Sequence, residues 1–127
     1  MAKTILYFWK PILWLIITCY ALFIPATRLP VEPFLIIPYF DKFVHFGLFF
    51  VLCLFLLRPF KKLKTPYYLI AAILSVVLSA LLESSQHILA ISRQSDIFDF
   101  LANTAGVLSA LLFFRLFVEN RKWEMLF

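Results

Sequence analysis

Ten side chains of types that do acid–base, amide or phosphate chemistry fall in three short blocks: Asp41, Lys42 and His45; Glu83, Gln86 and His87; Arg93, Asp96, Asp99 and Asn103. At helical spacing Asp41 and His45 share a face (i, i+4), and Glu83 shares one with Gln86 and His87. Asp96, Asp99, Asn103 and Gly106 form a single stripe, stepping by three, four and three. Gly106 ends it and would admit a neighbouring backbone or a ligand. Carboxylates beside a histidine suit general acid–base work. Lys42 and Arg93 suit phosphate, and Gln86 and Asn103 suit hydroxyls or amides.

The elements that must carry these blocks follow from composition. The chain has 127 residues, 64% of them hydrophobic and 15% charged, with a mean hydropathy of +0.95. A soluble domain runs at about 45–50% apolar and about 25% charged, and a disordered chain is less hydrophobic still; both classes are excluded. A bilayer core of about 30 Å takes roughly 20 helical residues per crossing. Four stretches qualify: 5–27, 41–57, 66–90 and 97–118. The first is too long for a cleavable signal peptide, carries Trp9 and Trp14, and lacks a small-x-small cleavage site. The expectation is a single all-α membrane domain over 1–127, an integral four-helix bundle. The stretch from Pro25 to Phe40 holds four prolines but stays apolar. It reads as a loop along the membrane surface, either covering something or simply connecting. Small residues mark the third span (Ala71, Ala72, Ser75, Ser79, Ala80) and the fourth (Ala102, Ala105, Gly106, Ser109, Ala110). Such faces predict that these two spans pack together as an antiparallel hairpin. The second span is aromatic, with Phe43, Phe46, Phe49, Phe50 and Phe55.

Charge sets the expected orientation. Lys3, Lys10, Arg58, Lys61, Lys62, Lys64, Arg115, Arg121 and Lys122 lie on one side against Glu119 and Glu124, a balance of +7. The other side holds Arg28, Lys42 and Arg93 against Glu32, Asp41, Glu83, Asp96 and Asp99, a balance of −2. The positive-inside rule places both termini in the cytoplasm of a bacterial inner membrane. The basic net charge therefore describes insertion, and nucleic acid is not an expected partner.

With that topology the three polar blocks meet at one level near the outer surface. Glu83 lies seventeen residues past Pro66, about 26 Å along a helix and close to the far boundary. Ionisable groups inside spans are costly and functional by default, and these acids need cations or protons. The expected pairings are Arg93 with Glu83 or Asp99, and Lys42 or His45 with a remaining acid. A bland role competes at each position. His45 could bridge the polar layer rather than act as a base or ligand, and Gln86 could be a hydrogen-bonding support. Asp96 suits an N-cap. Glu83 and Asp99 read as site residues, and His87 is set aside. The serines show no Ser-His-Asp order, the set lacks an HExxH-type signature, and Cys19 and Cys53 read as apolar filler. Neither a metal nor a cofactor is expected.

Asp41-Lys42-x-x-His45-Phe46 opening one helix, Glu83-x-x-Gln86 near the end of the next, and Arg93-x5-Asp99-x3-Asn103-x2-Gly106 entering the last together resemble the VanZ-like membrane protein family. The resemblance runs from Asp41 to Ala110 with the blocks in order. That family is named for a protein conferring resistance to teicoplanin-type glycopeptide antibiotics. The resemblance implies envelope localisation and a role in antibiotic resistance, and supplies no reaction. The leading functional expectation is a polar pocket of Asp41, Lys42, His45, Glu83, Gln86, Arg93, Asp99 and Asn103. It would bind a lipid headgroup or a polyprenyl-linked cell-wall intermediate from the outer leaflet. The alternative is an intramembrane hydrolase or transferase using Glu83, Asp99 and His45 on a lipid-linked substrate. A proton-coupled exporter ranks third, because carriers place their coupling acid near the midplane. Homo-oligomerisation is left open.

Overall fold

The computed structural model describes residues 2–24, 38–89 and 96–127. Short helical turns, Ala2–Ile5 and Leu6–Phe8, lead into α1 (Trp9–Phe23); α2 (Phe40–Lys62), α3 (Tyr67–Leu89) and α4 (Ile97–Phe113) follow. Among the described residues these make four helical segments long and apolar enough to cross a membrane: Lys3–Phe23, Phe40–Lys62, Tyr67–Leu89 and Ile97–Val118. The all-α bundle expected from hydropathy is therefore found.

Its boundaries differ in two instructive places. The second span runs five residues past Leu57, through Pro59. Proline removes one N–H from the ladder, but so near the end of α2 the loss is absorbed: Leu63 N–H donates to the Pro59 carbonyl at 3.1 Å and closes the helix. The fourth span ends in a π-helical turn, Phe114–Val118, which buries Phe114 and Val118. At the other ends, residues 25–27 of the first expected span and Ala90 of the third lie outside the described residues, as does most of the proline-rich stretch.

Burial runs inside out relative to a soluble bundle. The exposed stripe of α3 is Leu69, Ile73, Val77 and Leu81, spaced i, i+4 and all large and apolar. Its buried stripe is Ala71, Ser75, Ser79 and Glu83 at the same spacing, then Gln86. Helical periodicity thus gives lipid the hydrocarbon and the bundle the small and polar groups, as a solvent without hydrogen-bonding capacity requires. Helix α2 is central: Leu48, Phe49, Leu52, Cys53, Leu56 and Leu57 are buried in it.

The expected antiparallel packing of the third and fourth spans is present, but it is not the most extensive contact of α4. Helix α4 packs most extensively on α2, to which it runs parallel, and less on α3. The cause is Gly106. A Cβ built there would sit 2.3 Å from the Phe46 carbonyl oxygen and 3.1 Å from Phe50 N. The α4 backbone lies directly on that of α2, an approach only glycine permits and which membrane helices use for close packing. The small stripe of α3 faces the interior against both, with Ser79 bonded to Asn103 of α4. Helix α1 is tied on from outside by Trp14, whose Nε1 donates to the Leu48 carbonyl at 2.8 Å.

Candidate functional site

The layer sits one to two helical turns below one end of the bundle. His45 is five residues into α2, Asn103 six into α4, and Glu83 six short of the end of α3, or about 7–9 Å of axial rise in each case. Because α2 and α4 are parallel and α3 runs against them, these positions share one level.

Asn103 joins the three helices. It is fully buried, and its Nδ2 donates to Ser79 Oγ at 2.8 Å and to Glu83 Oε1 at 3.0 Å. Its Oδ1 lies 3.1 Å from His45 Nδ1. Glu83 Oε1 lies 3.2 Å from the same ring nitrogen. Both neighbours of Nδ1 are acceptors, so the network assigns the proton to that nitrogen. His45 Nε2 faces Asp99 Oδ2 at 3.9 Å, beyond hydrogen-bond distance. The imidazole is thereby held between two carboxylates from two other helices.

Lys42 neutralises the outer rim. Its Nζ lies 2.5 Å from Asp99 Oδ1, 2.8 Å from Asp41 Oδ2 and 3.9 Å from Asp96 Oδ2. Asp99 is nearly enclosed, whereas the Asp41 and Asp96 side chains reach the surface (7%, 59% and 47% exposed). Lys42 thus bridges the buried acid to the exposed ones, and of the expected pairings both alternatives occur, Lys42 with Asp99 and His45 with Glu83. The expected partnership of Arg93 falls on a residue outside the described set.

Asp96 takes the N-cap of α4. Its side chain accepts from Phe98 N–H at 3.3 Å, and Asp99 Oδ2 reciprocally approaches Asp96 N–H at 3.4 Å. This is a capping box with Asp at the third position. Asp99 therefore serves the helix end, Lys42 and the histidine side of the layer at once. Gln86 lies a turn beyond Glu83, with Nε2 donating to the Leu22 carbonyl of α1 at 2.8 Å, so all four helices contribute. His87 is exposed, as its exclusion from the set anticipates.

Among the described residues, two oxygens in the layer are buried without a hydrogen-bond partner, Glu83 Oε2 and Gln86 Oε1. Both are on α3 and both accept. The site therefore has unused acceptor capacity that a donor group would satisfy. Two grooves lead to it. One, of about 600 Å³, runs between α3 and α4 past Glu83, Ser84, His87, Asp96 and Phe100. The other, of about 390 Å³, is almost wholly apolar and is lined by Tyr39, Lys42, Phe43, Phe46 and Ala102 on the lipid side of α2 and α4.

Sequence reasoning placed Ser79 only among the small residues and did not consider the Leu22 carbonyl. Ser79 sits one turn before Glu83 on its stripe, which was the available signal; a backbone acceptor on α1 left none. Among the described residues no group of three His, Cys, Asp or Glu side chains could hold a metal ion.

No curated protein matches the chain, and no solved structure does. The ordered blocks and the four-helix membrane architecture do have a counterpart among family descriptions. The VanZ/LLP1 family model matches residues 3–118, nearly the whole chain, and this multi-pass membrane protein belongs to that family.

Proposed function

We propose that the protein binds the headgroup of a lipid, or of a polyprenyl-linked cell-wall intermediate, in the polar layer at the outer leaflet of a bacterial cytoplasmic membrane, with both termini in the cytoplasm. The observation that carries this reading is the pair of buried acceptors without a partner among the described residues, Glu83 Oε2 and Gln86 Oε1, beside a groove open to the surface. A headgroup hydroxyl or ammonium donates to them, Lys42 meets its phosphate, and an acyl or prenyl chain lies along Tyr39, Phe43, Phe46 and Ala102. Family membership extends this to a physiological role: sequestering such a molecule lowers susceptibility to teicoplanin-type glycopeptides.

Native mass spectrometry of protein extracted in mild detergent tests the reading. The wild-type chain is expected to carry a phospholipid or a polyprenyl-linked glycan. Glu83→Gln and Asp99→Asn variants, still inserted in the membrane, are expected to lose it and with it the resistance phenotype. A wild-type chain without any bound lipid, or variants that retain it fully, would overturn the proposal.

One observation favours a second reading, an intramembrane hydrolase or transferase. His45 has a carboxylate near each ring nitrogen, Glu83 at 3.2 Å and Asp99 at 3.9 Å, an arrangement suited to moving a proton between substrate and solvent. Recovery of a cleaved or extended headgroup, in place of the intact lipid, decides for it.

A further inference from the structure

The opposite end of the bundle carries a second feature that the polar layer does not use. Tyr7, Trp9, Lys10, Arg58, Lys62 and Phe127, from the turn before α1 and its first residues, the end of α2 and the C-terminal turn, line a cleft of about 90 Å³. Three of the six are cations. Lys10 Nζ donates to the Leu126 carbonyl at 2.5 Å, and the Arg58 guanidinium donates to the Met125 carbonyl. Lys62 Nζ lies 4.3 Å from the centre of the Tyr7 ring and Lys10 Nζ 5.7 Å from that of Trp9. All these partners are neutral. Among the described residues no carboxylate makes an ion pair with Lys10, Arg58 or Lys62, whereas Lys61 between them in sequence takes Glu119 and Glu124.

Three cations gathered at one cleft, with no carboxylate in ion-pair contact among the described residues, repel one another, and an anion relieves that repulsion. Tyr7 and Trp9 are residues of the membrane–water boundary. The exposed apolar side chains of Ile5 and Leu6 flank them. The anion that meets three cations at this depth, with hydrocarbon alongside, is a lipid phosphate.

We infer that the cleft formed by Lys10, Arg58 and Lys62 binds the phosphate headgroup of an anionic phospholipid from the leaflet at the basic end, and so clamps the C-terminal turn against α1 and α2. The site is separate from the polar layer, at the opposite end of the bundle, and meets its phosphate with three cations that lack a carboxylate in ion-pair contact among the described residues, where the layer's Lys42 is already paired with Asp41 and Asp99.

The full chain in a neutral detergent tests this by native mass spectrometry and thermal melting, with added phosphatidylglycerol, phosphatidylcholine or inorganic phosphate as probes. Phosphatidylglycerol is expected to remain bound and raise Tm, with phosphatidylcholine and inorganic phosphate leaving Tm unchanged. Removing one cation by Lys62→Gln is expected to weaken retention about fivefold, and an Arg58→Gln/Lys62→Gln double variant to abolish it. Arg58→Lys, which keeps the charge, retains most binding and controls for folding. Arg121→Gln/Lys122→Gln, which removes the same charge outside the cleft, leaves binding intact. Equal retention by the Arg58/Lys62 double variant overturns the site, as does equal loss in the Arg121/Lys122 control. A matching Tm rise with inorganic phosphate overturns the lipid as the ligand.

Discussion

Asn103 shows how much a single amide can hold at this depth. One side chain on α4 joins His45 on α2 to Ser79 and Glu83 on α3 through contacts of 2.8–3.1 Å. Replacing it by alanine leaves His45, Ser79 and Glu83 each short of one partner in a place water reaches poorly. A buried polar group left unsatisfied costs about 1–3 kcal/mol. Asn103→Ala is expected to lower stability by at least that amount in a thermal or denaturant melt in detergent, and a variant that melts like wild type would show the network to be dispensable. The membership of this layer was readable in the sequence because i, i+3 and i+4 steps put Asp99 and Asn103, or Glu83 and Gln86, on common faces. The partners were less readable. Spacing fixes which residues share a face, but not how far each helix is rotated toward its neighbours, so Lys42 and His45 could not be divided between Asp99 and Glu83 in advance.

At the scale of elements, rotation and pairing are decided by backbone approach. Gly47 and Gly106 are the two glycines of the chain, and they behave oppositely. A Cβ at Gly47 would meet nothing within 4 Å, whereas one at Gly106 would drive into the Phe46 carbonyl. Gly106→Ala must therefore push α4 off α2 along the seam that aligns Asp99 and Asn103 with Lys42 and His45. Overpacking of this kind costs about 1–3 kcal/mol, and the same variant is expected to lose ligand in proportion as the layer is pulled apart. Gly47→Ala is expected to be neutral or slightly stabilising, since alanine is the better helix former. Melting temperatures of the two variants side by side check the argument, and equal values would refute it. The four spans were legible because hydropathy and length suffice to mark them. The α2–α4 seam was not, because small residues announce close packing without naming the partner. Only the clash at Gly106 assigns it.

The whole molecule is held at both ends by different chemistry. At the acidic end Lys42 gathers the starts of α2 and α4. At the basic end Glu119, just past the fourth span, takes hydrogen bonds from the hydroxyls of Tyr67 and Tyr68 at the start of α3, the latter at 2.9 Å. Lys61 at the end of α2 lies 3.9 Å from Glu119 and 3.0 Å from Glu124. This closure joins residues more than fifty positions apart, which is why a reading of local pattern passed over it. The hydrogen bond from Tyr67, then that from Tyr68 and the charges of Lys61 and Arg115, hold the Glu119 carboxyl below its ordinary range, against an opposing contribution from burial. A carboxylate depressed by folding contributes stability that is complete above the unfolded value, about 4.3, and is lost as pH falls through the lower folded value. Melting temperature is therefore expected to decline below about pH 4.3, and Glu119→Gln is expected to flatten that limb while lowering Tm at neutral pH. The Tyr67→Phe/Tyr68→Phe pair should reproduce the flattening with the carboxylate still present, because the hydroxyls are what depress it. An acid limb unchanged in both variants would place the pH sensitivity at the other end of the bundle, among the carboxylates around Lys42.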